Sequence, residues 1–142
     1  MHESAFTIDA LCARFDVAEE IRHFAHIPGG KVIFGTGSAR MVGQEALELG
    51  AKRVLLVTDP GIRAAGHEDL VMESLSGAGL EIVVFDEVKE NPTTEDVDRC
   101  LAAIEGREID VIVGLGGGSS MDTAKGTNFI RTNGGRMQDY WG

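Results

Sequence analysis

The sequence predicts an α/β fold: an open parallel sheet with flanking helices, Rossmann-like in its arrangement. Short apolar runs alternate with amphipathic helical patterns along most of the 142 residues. The run at residues 54–57 shows no in–out alternation, which is typical of a parallel strand covered on both faces. The connections between these runs are short, and short strand–helix–strand connections indicate right-handed crossovers within one sheet.

Composition places the chain among ordinary globular domains, because 43% of its residues are hydrophobic and 25% are charged. The formal net charge of -10 argues against a nucleic-acid partner, which needs an excess of Lys and Arg. The N-terminus carries acidic residues and no long apolar run, so we expect neither a signal peptide nor a membrane partner. Cys12 and Cys100 form no CxxC and are interpreted as free thiols, which favours a cytoplasmic protein.

We interpret residues 1–23 as an N-terminal extension ahead of one domain over residues 24–142. The extension contains a short amphipathic piece around Leu11 and Phe15. Two short strand patterns then flank Gly29-Gly30, and this arrangement predicts a β-hairpin. A free hairpin edge could pair with a second copy, so a homodimer is a candidate assembly.

Three helices are expected between the following strands. The first is predicted to be capped by Ser38 and closed by Gly50. The second precedes a strand at residues 82–85, and the third is predicted to be capped by Thr94. Each helix carries an apolar stripe at helical spacing. The stripes are Val42, Ala46 and Leu49; Leu70, Val71 and Leu75; and Val97, Leu101 and Ile104.

The strongest functional signal lies in residues 111–125, where an apolar strand leads into three glycines and then a helix. The glycines have no side chains, so backbone N–H groups before Ser119 can come close to a ligand. A helix start also carries unpaired N–H donors and a partial positive charge, which suits phosphate. Ser119 followed by Asp122 approximates a capping box, so helix capping is the alternative role for both. We predict that this turn holds the phosphates of a nucleotide.

Better-known motifs do not match. A P-loop needs Gly-Lys-Ser/Thr, and Lys125 lacks both neighbours. The dinucleotide fingerprint GxGxxG fails at its last glycine in both candidate places, where Arg40 and Ser119 stand. His23 and His26 form an HxxH without further ligands nearby, so no metal site is predicted.

Two polar residues follow other predicted strands, at the sheet edge expected to carry the glycine turn. Asp59 could accept hydrogen bonds from both hydroxyls of a ribose and would repel a 2′-phosphate, which favours NAD over NADP. Its alternative role is a turn or N-cap beside Pro60-Gly61. Asn91 opens the loop before the third helix. Lys125 shares a helix face with Asp122, either as an ordinary surface pair or to hold that carboxylate near a ligand.

Residues 116–125, GGGSSMDTAK, resemble the GGGSxxDxAK signature of the iron-containing alcohol dehydrogenases. The agreement continues at residues 34–37, 58–61 and 90–93, in the same order and spacing, and spans about residues 24–142. The resemblance implies a two-domain enzyme with a dehydroquinate synthase-like N-terminal domain that binds NAD. A helical C-terminal domain, absent from this chain, would hold divalent iron or zinc.

Carried over position by position, the resemblance also implies roles for single residues. The pyrophosphate would be contacted by Gly117, Gly118, Ser119 and Ser120, with Gly116 in the same cofactor-binding turn. Asp59 would take the adenosine ribose. Asn91 would border the adenine-side pocket, and Asp122 would lie toward the nicotinamide.

The implied reaction is hydride transfer between an alcohol/aldehyde pair and NAD, with the metal stabilising the alkoxide. The family's metal ligands lie beyond residue 142, so we expect this chain alone not to oxidise alcohols. Two alternatives remain open. One is a non-catalytic nucleotide-binding module, and the other is part of an enzyme similar to glycerol dehydrogenase or dehydroquinate synthase.

Overall fold

The computed structural model describes residues 23–27 and 30–140, and the chain divides into two compact units, residues 1–39 and 40–142. In the first unit, strands β1 (His23–Ile27) and β2 (Gly30–Phe34) pair antiparallel. Ile27 lies opposite Gly30, so the predicted hairpin is confirmed. The amphipathic piece around Leu11 lies outside the described residues.

The second unit is built on three parallel strands, β3 (Arg53–Val57), β4 (Glu81–Phe85) and β5 (Val111–Gly114). Its α-helices are α1 (Val42–Glu48), α2 (Pro60–Ala64), α3 (His67–Gly77), α4 (Thr94–Ala103) and α5 (Gly118–Asn133). Short 3-10 helices span Ser38–Met41 and Met137–Tyr140. The predicted α/β class with a parallel sheet and flanking helices is confirmed.

Strand β3 lies at the centre of this sheet, and its residues Val54, Leu55, Leu56 and Val57 are fully buried. Successive side chains of a strand point to opposite faces, so the strand supplies two cores. Leu55 and Val57 pack with residues of α4 and α5, whereas Val54 and Leu56 pack with residues of α1 and α3. Burial on both faces explains why the run lacks alternation.

The strand order is β4-β3-β5, so the chain leaves β3 toward one side and returns to pair on the other. In open α/β sheets, ligands bind beyond the carboxyl ends of the strands at the point where the order reverses. Asp59 follows β3 and Gly116 follows β5, so both turns lie at that point. The two ends are joined directly: Leu115 N donates to Val57 O at 2.8 Å, and Thr58 Oγ1 donates to Leu115 O at 2.9 Å.

The caps of two helices differ from the prediction. Helix α1 follows a 3-10 turn that begins at Ser38, and its N-cap is Met41, which makes no side-chain cap. Gly50 closes α1 as predicted, in a left-handed conformation with φ +80°. Helix α4 is capped by Thr93, not Thr94. The reason is that Asp96 stands three residues after Thr93, and its carboxylate accepts from Thr93 N at 2.8 Å.

Helix α5 also starts earlier than predicted. Its N-cap is Gly117, which makes no side-chain cap, so the capping box between Ser119 and Asp122 is not formed. Ser119 already lies inside the first turn, where its side chain cannot cap the helix. Of the described helices, none is long and apolar enough to cross a membrane.

Candidate functional site

After β5, the chain turns into α5 at Gly117, whose backbone is extended with φ -82° and ψ -164°. The first hydrogen bond of the helix runs from Met121 N to Gly117 O at 3.2 Å. The amides of Gly118, Ser119 and Ser120 therefore have no acceptor within the helix. A β-carbon added at Gly117 or Gly118 would meet no atom within 4 Å. This strand-to-helix turn, residues 116–120, is called the corner below. It is an open surface of amide donors at the positive end of a 16-residue helix.

Asp59 links the two strand ends. Its Oδ1 caps α2 by accepting from the amides of Gly61 at 2.9 Å and Ile62 at 3.0 Å. Its Oδ2 accepts from Ser120 Oγ at 3.3 Å. Ser120 is fully buried in the first turn of α5, so this contact connects the turn after β3 to that helix.

Gly116 lies between Asp59 and Ser120, in a left-handed region of the backbone with φ +137°. A β-carbon there would lie 2.8 Å from Ser120 Oγ and 2.9 Å from Asp59 Oδ2. Both distances are too short for a carbon atom, so this position requires glycine. The three glycines therefore differ, because Gly116 makes room inside the protein whereas Gly117 and Gly118 leave room outside it.

A cavity of about 350 Å³ opens at this corner. Its lining combines a carboxylate, the amide-rich start of α5 and the segment that follows β4. The lining residues are Asp59, Pro60, Val88, Lys89, Glu90, Gly117, Gly118 and Ser119. A cavity of this volume with a few convergent polar groups is typical of small-molecule sites.

A second cavity, of about 410 Å³, lies farther along α5. It is lined by Pro92, Thr93, Thr94, Val97, Asp122, Thr123, Gly126 and Met137. The Asp122 side chain is 70% exposed, and its carboxylate lies 4.0 Å from Lys125 Nζ. Asn91 is exposed, with φ +53°, between the segments that line the two cavities.

The structure thus brings most of the predicted site residues to one corner: Asp59, Gly116, Gly117, Gly118, Ser119 and Ser120. Asp122 lines the second cavity instead, and Asn91 is not a lining residue of either, although Glu90 and Pro92 on its two sides are. Sequence reasoning missed Val88, Lys89 and Glu90 as lining residues. The signal that could have found them is the rule that identified Asp59, since they also follow the carboxyl end of a strand.

At the opposite end of the sheet, a second carboxylate joins β5 to β3 through hydrogen bonds; such a link between two strands is called a tie below. Asp110 Oδ2 accepts from the amides of Lys52 and Arg53, both at 2.8 Å. These two backbone hydrogen bonds lower the pKa of the Asp110 carboxyl below its usual value. The hydrogen bond and charge of Glu81 raise the pKa of the Arg53 guanidinium.

A free thiol, that of Cys100, lies away from this corner. Burial raises the pKa of the Cys100 thiol, an effect that the neighbouring Thr127 hydroxyl partly opposes. Cys100 is a free cysteine inside the core between α4 and α5. Within residues 23–27 and 30–140, no group of three metal-ligating side chains comes together.

Comparison with known proteins yields one family. A family model described as "Iron-containing alcohol dehydrogenase" matches residues 29–142. The chain is 42% identical over 106 residues to a choline dehydrogenase of Bacillus subtilis, covering 75% of this chain and 26% of that protein. It is 35% identical over 116 residues to an NAD-dependent methanol dehydrogenase of Bacillus methanolicus, covering 82% of this chain and 30% of that protein.

Solved structures agree with this match. The NADH-dependent butanol dehydrogenase A of Thermotoga maritima superposes with a TM-score of 0.75 at 29% identity, covering 84% of this chain and 30% of that one. The chain therefore spans less than a third of the length of these three relatives.

Proposed function

The chain belongs to the iron-containing alcohol dehydrogenase family, and we propose that it forms the NAD-binding portion of a metal-dependent alcohol dehydrogenase. One observation carries this proposal. The open corner at Gly117 and Gly118 presents amide donors at the start of a long helix, and the Asp59 carboxylate lies beside it. The cavity combines amides that can donate to an anion with a carboxylate that can accept from a hydroxyl. These groups match the diphosphate and the ribose of a dinucleotide.

The residues of the corner fit such a ligand. The diphosphate would accept hydrogen bonds from the amides of Gly118 and Ser119, where a β-carbon at Gly118 would meet only open space. Asp59 would accept from the adenosine ribose, and its charge would repel a 2′-phosphate, so we propose NAD rather than NADP. Bound NAD would supply the hydride acceptor, and the protein would supply binding and orientation.

We propose an alcohol/aldehyde pair as the small-molecule substrate, supported by relatives named as methanol, choline and butanol dehydrogenases. Divalent iron or zinc would be held by residues outside this chain and would act as a Lewis acid. Exposed Val32 and Phe34, which lie on one face of β2, support a homodimer formed through the hairpin. The free thiol of Cys100 supports a cytoplasmic location.

A non-catalytic nucleotide-binding module is the second candidate. It is supported by the position of all the lining residues of the corner cavity within residues 59–119 of this chain. Neither proposal includes a membrane or a nucleic-acid partner, and the net charge of -10 argues against nucleic acid.

Calorimetric titration of the chain with NAD and with NADP tests the proposal. We expect saturable NAD binding, weaker NADP binding, and a loss of at least about tenfold in NAD affinity on Gly118→Val, since the side chain would occupy the phosphate position. Gly77→Val is the matched control, because a β-carbon at that helical glycine also meets open space, far from the corner. NAD affinity that is undetectable, or equal in the two variants, would contradict the proposal.

A further inference from the structure

We propose that Ser120 is a positioning residue for the cofactor, which holds the Asp59 carboxylate in the orientation that receives a ribose hydroxyl. This inference rests on the proposed function and adds to it a residue that does not itself touch the ligand. The sequence offers Ser120 as one of several phosphate contacts. The geometry gives it a different partner, because its Oγ lies 3.3 Å from Asp59 Oδ2.

The two oxygens of Asp59 are held in different ways. Oδ1 is fixed by two amides of α2, at 2.9 and 3.0 Å. Oδ2 accepts a hydrogen bond from the fully buried hydroxyl of Ser120, and Asp59 is one of the residues that line the cavity. Without that bond, the carboxylate plane could turn about its fixed oxygen. Ser120 therefore limits the rotation of the carboxylate that a ligand hydroxyl would meet.

Burial makes Ser120 suited to this task. Its exposure is 0%, so bulk water does not compete for its hydroxyl, which the structure pairs with the carboxylate. Hydrogen bonds to a charged acceptor are stronger than neutral ones, and they strengthen further away from solvent. A serine on the surface of the same turn would not hold the acid in this way.

Gly116 makes this contact possible. A β-carbon at Gly116 would lie within 2.9 Å of both the Ser120 hydroxyl and the Asp59 carboxylate. The first glycine of the turn thus serves the Asp59–Ser120 pair, and only Gly117 and Gly118 face the space for phosphate. The three residues Asp59, Gly116 and Ser120 act as one unit that sets the ribose-facing carboxylate.

A double-mutant cycle on the full chain tests this role. NAD affinity is measured by calorimetry for the wild type, Ser120→Ala, Asp59→Ala and the double variant. We expect Ser120→Ala to weaken NAD binding about 3- to 10-fold in the wild-type background, the range of one hydrogen bond. In the Asp59→Ala background, the same change should alter affinity less than about twofold, because Ser120 acts through Asp59.

The matched control is Thr127→Val, which removes another fully buried hydroxyl of α5 away from the corner. It should leave NAD affinity within about twofold of the wild type. Thermal unfolding of each variant checks that the fold persists. A Ser120→Ala chain that binds NAD as tightly as the wild type, or equal losses in both backgrounds of the cycle, would overturn the positioning role alone. A wild-type chain that binds no NAD would overturn the proposed function and, with it, this inference.

Discussion

Two aspartates tie the same pair of strands, β3 and β5, at opposite ends of the sheet. At the amino end, Asp110 precedes β5 and accepts from the amides of Lys52 and Arg53, which lead into β3. At the carboxyl end, Asp59 follows β3 and accepts from Ser120 after β5. Both contacts bridge residues about sixty positions apart, with separations of 58 and 61 for the Lys52 and Ser120 contacts.

The two ties differ in what surrounds them. Asp110 forms short bonds to two backbone amides beside the Arg53–Glu81 ion pair, so its carboxylate is engaged by the fold. Asp59 forms one longer bond across the strands and lines the cavity that includes the amide-rich start of α5. The cavity of about 390 Å³ that Asp110 lines is bounded by β5 and later residues of α5. A carboxylate therefore joins the two strands at both ends of the sheet. Of the two, Asp59 is the one that lies beside the amide donors of α5, at the carboxyl ends where our proposal places the ligand.

The largest effect on stability is expected from adding a side chain at Gly116, between Asp59 and Ser120. Gly116→Ala should lower the free energy of unfolding by about 2–4 kcal/mol, from backbone strain and the contacts with Asp59 and Ser120. Gly117→Ala should cost no more than about 1 kcal/mol, since its backbone is extended and its surroundings are open. Urea denaturation measures both, and equal losses would show that the corner adapts without strain.

Removing each carboxylate tests the division of roles directly. Asp59→Ala should weaken NAD binding about 10- to 100-fold, the range of a hydrogen bond to a charged group. Asp110→Ala should leave NAD affinity within about twofold, because Asp110 lies at the other end of the sheet. Calorimetry on both variants makes the comparison, and a large effect of Asp110→Ala on affinity would erase the distinction.

The stability that Asp110 contributes at the amino end of the sheet should depend on pH. The folded pKa of Asp110 is lowered, so its contribution to stability is present above the unfolded pKa of about 4 and is lost as pH falls through the folded value. The wild type should therefore have a higher Tm than Asp110→Asn at pH 7, and the gap should close below about pH 4. A gap that stays constant from pH 7 to pH 3 would mean that charge plays no part in the tie.

The smallest effect is expected from the exposed pair on α5. Lys125→Ala should change the free energy of unfolding by less than about 0.5 kcal/mol, because Lys125 and Asp122 are 4.0 Å apart and mostly exposed. NAD affinity should change less than about twofold. A larger loss of affinity would favour the other interpretation, in which Lys125 holds Asp122 near the ligand.

Local sequence patterns predicted the strands and helix ends well where these depend on residues adjacent in the chain. Strands β3 and β4 begin one residue before the predicted runs, and Gly50 ends α1 as expected. Helix α2 was not predicted, and the other errors fall at helix starts, where neighbouring residues compete for the cap. Thr93 prevails over Thr94 because Asp96 reaches its amide, and Gly117 begins α5 without any side-chain cap.

The candidate corner was predictable in part. The glycines and Asp59 stand at strand ends, and that position is visible in the sequence. The segment at Val88–Glu90 was missed, although it also follows a strand, because no single residue in it signals binding. The bond from Ser120 to Asp59 could not be predicted, since it depends on how two separate turns meet.

The sequence by itself determined the alternation of strands and helices, the family and the presence of an amide-rich turn, because each depends on residues adjacent in the chain. Only the tertiary structure decided the order β4-β3-β5 and the different contacts of the two aspartates. The physical reason is distance along the chain. Contacts between residues about sixty positions apart arise from packing of the whole sheet, which no local pattern records.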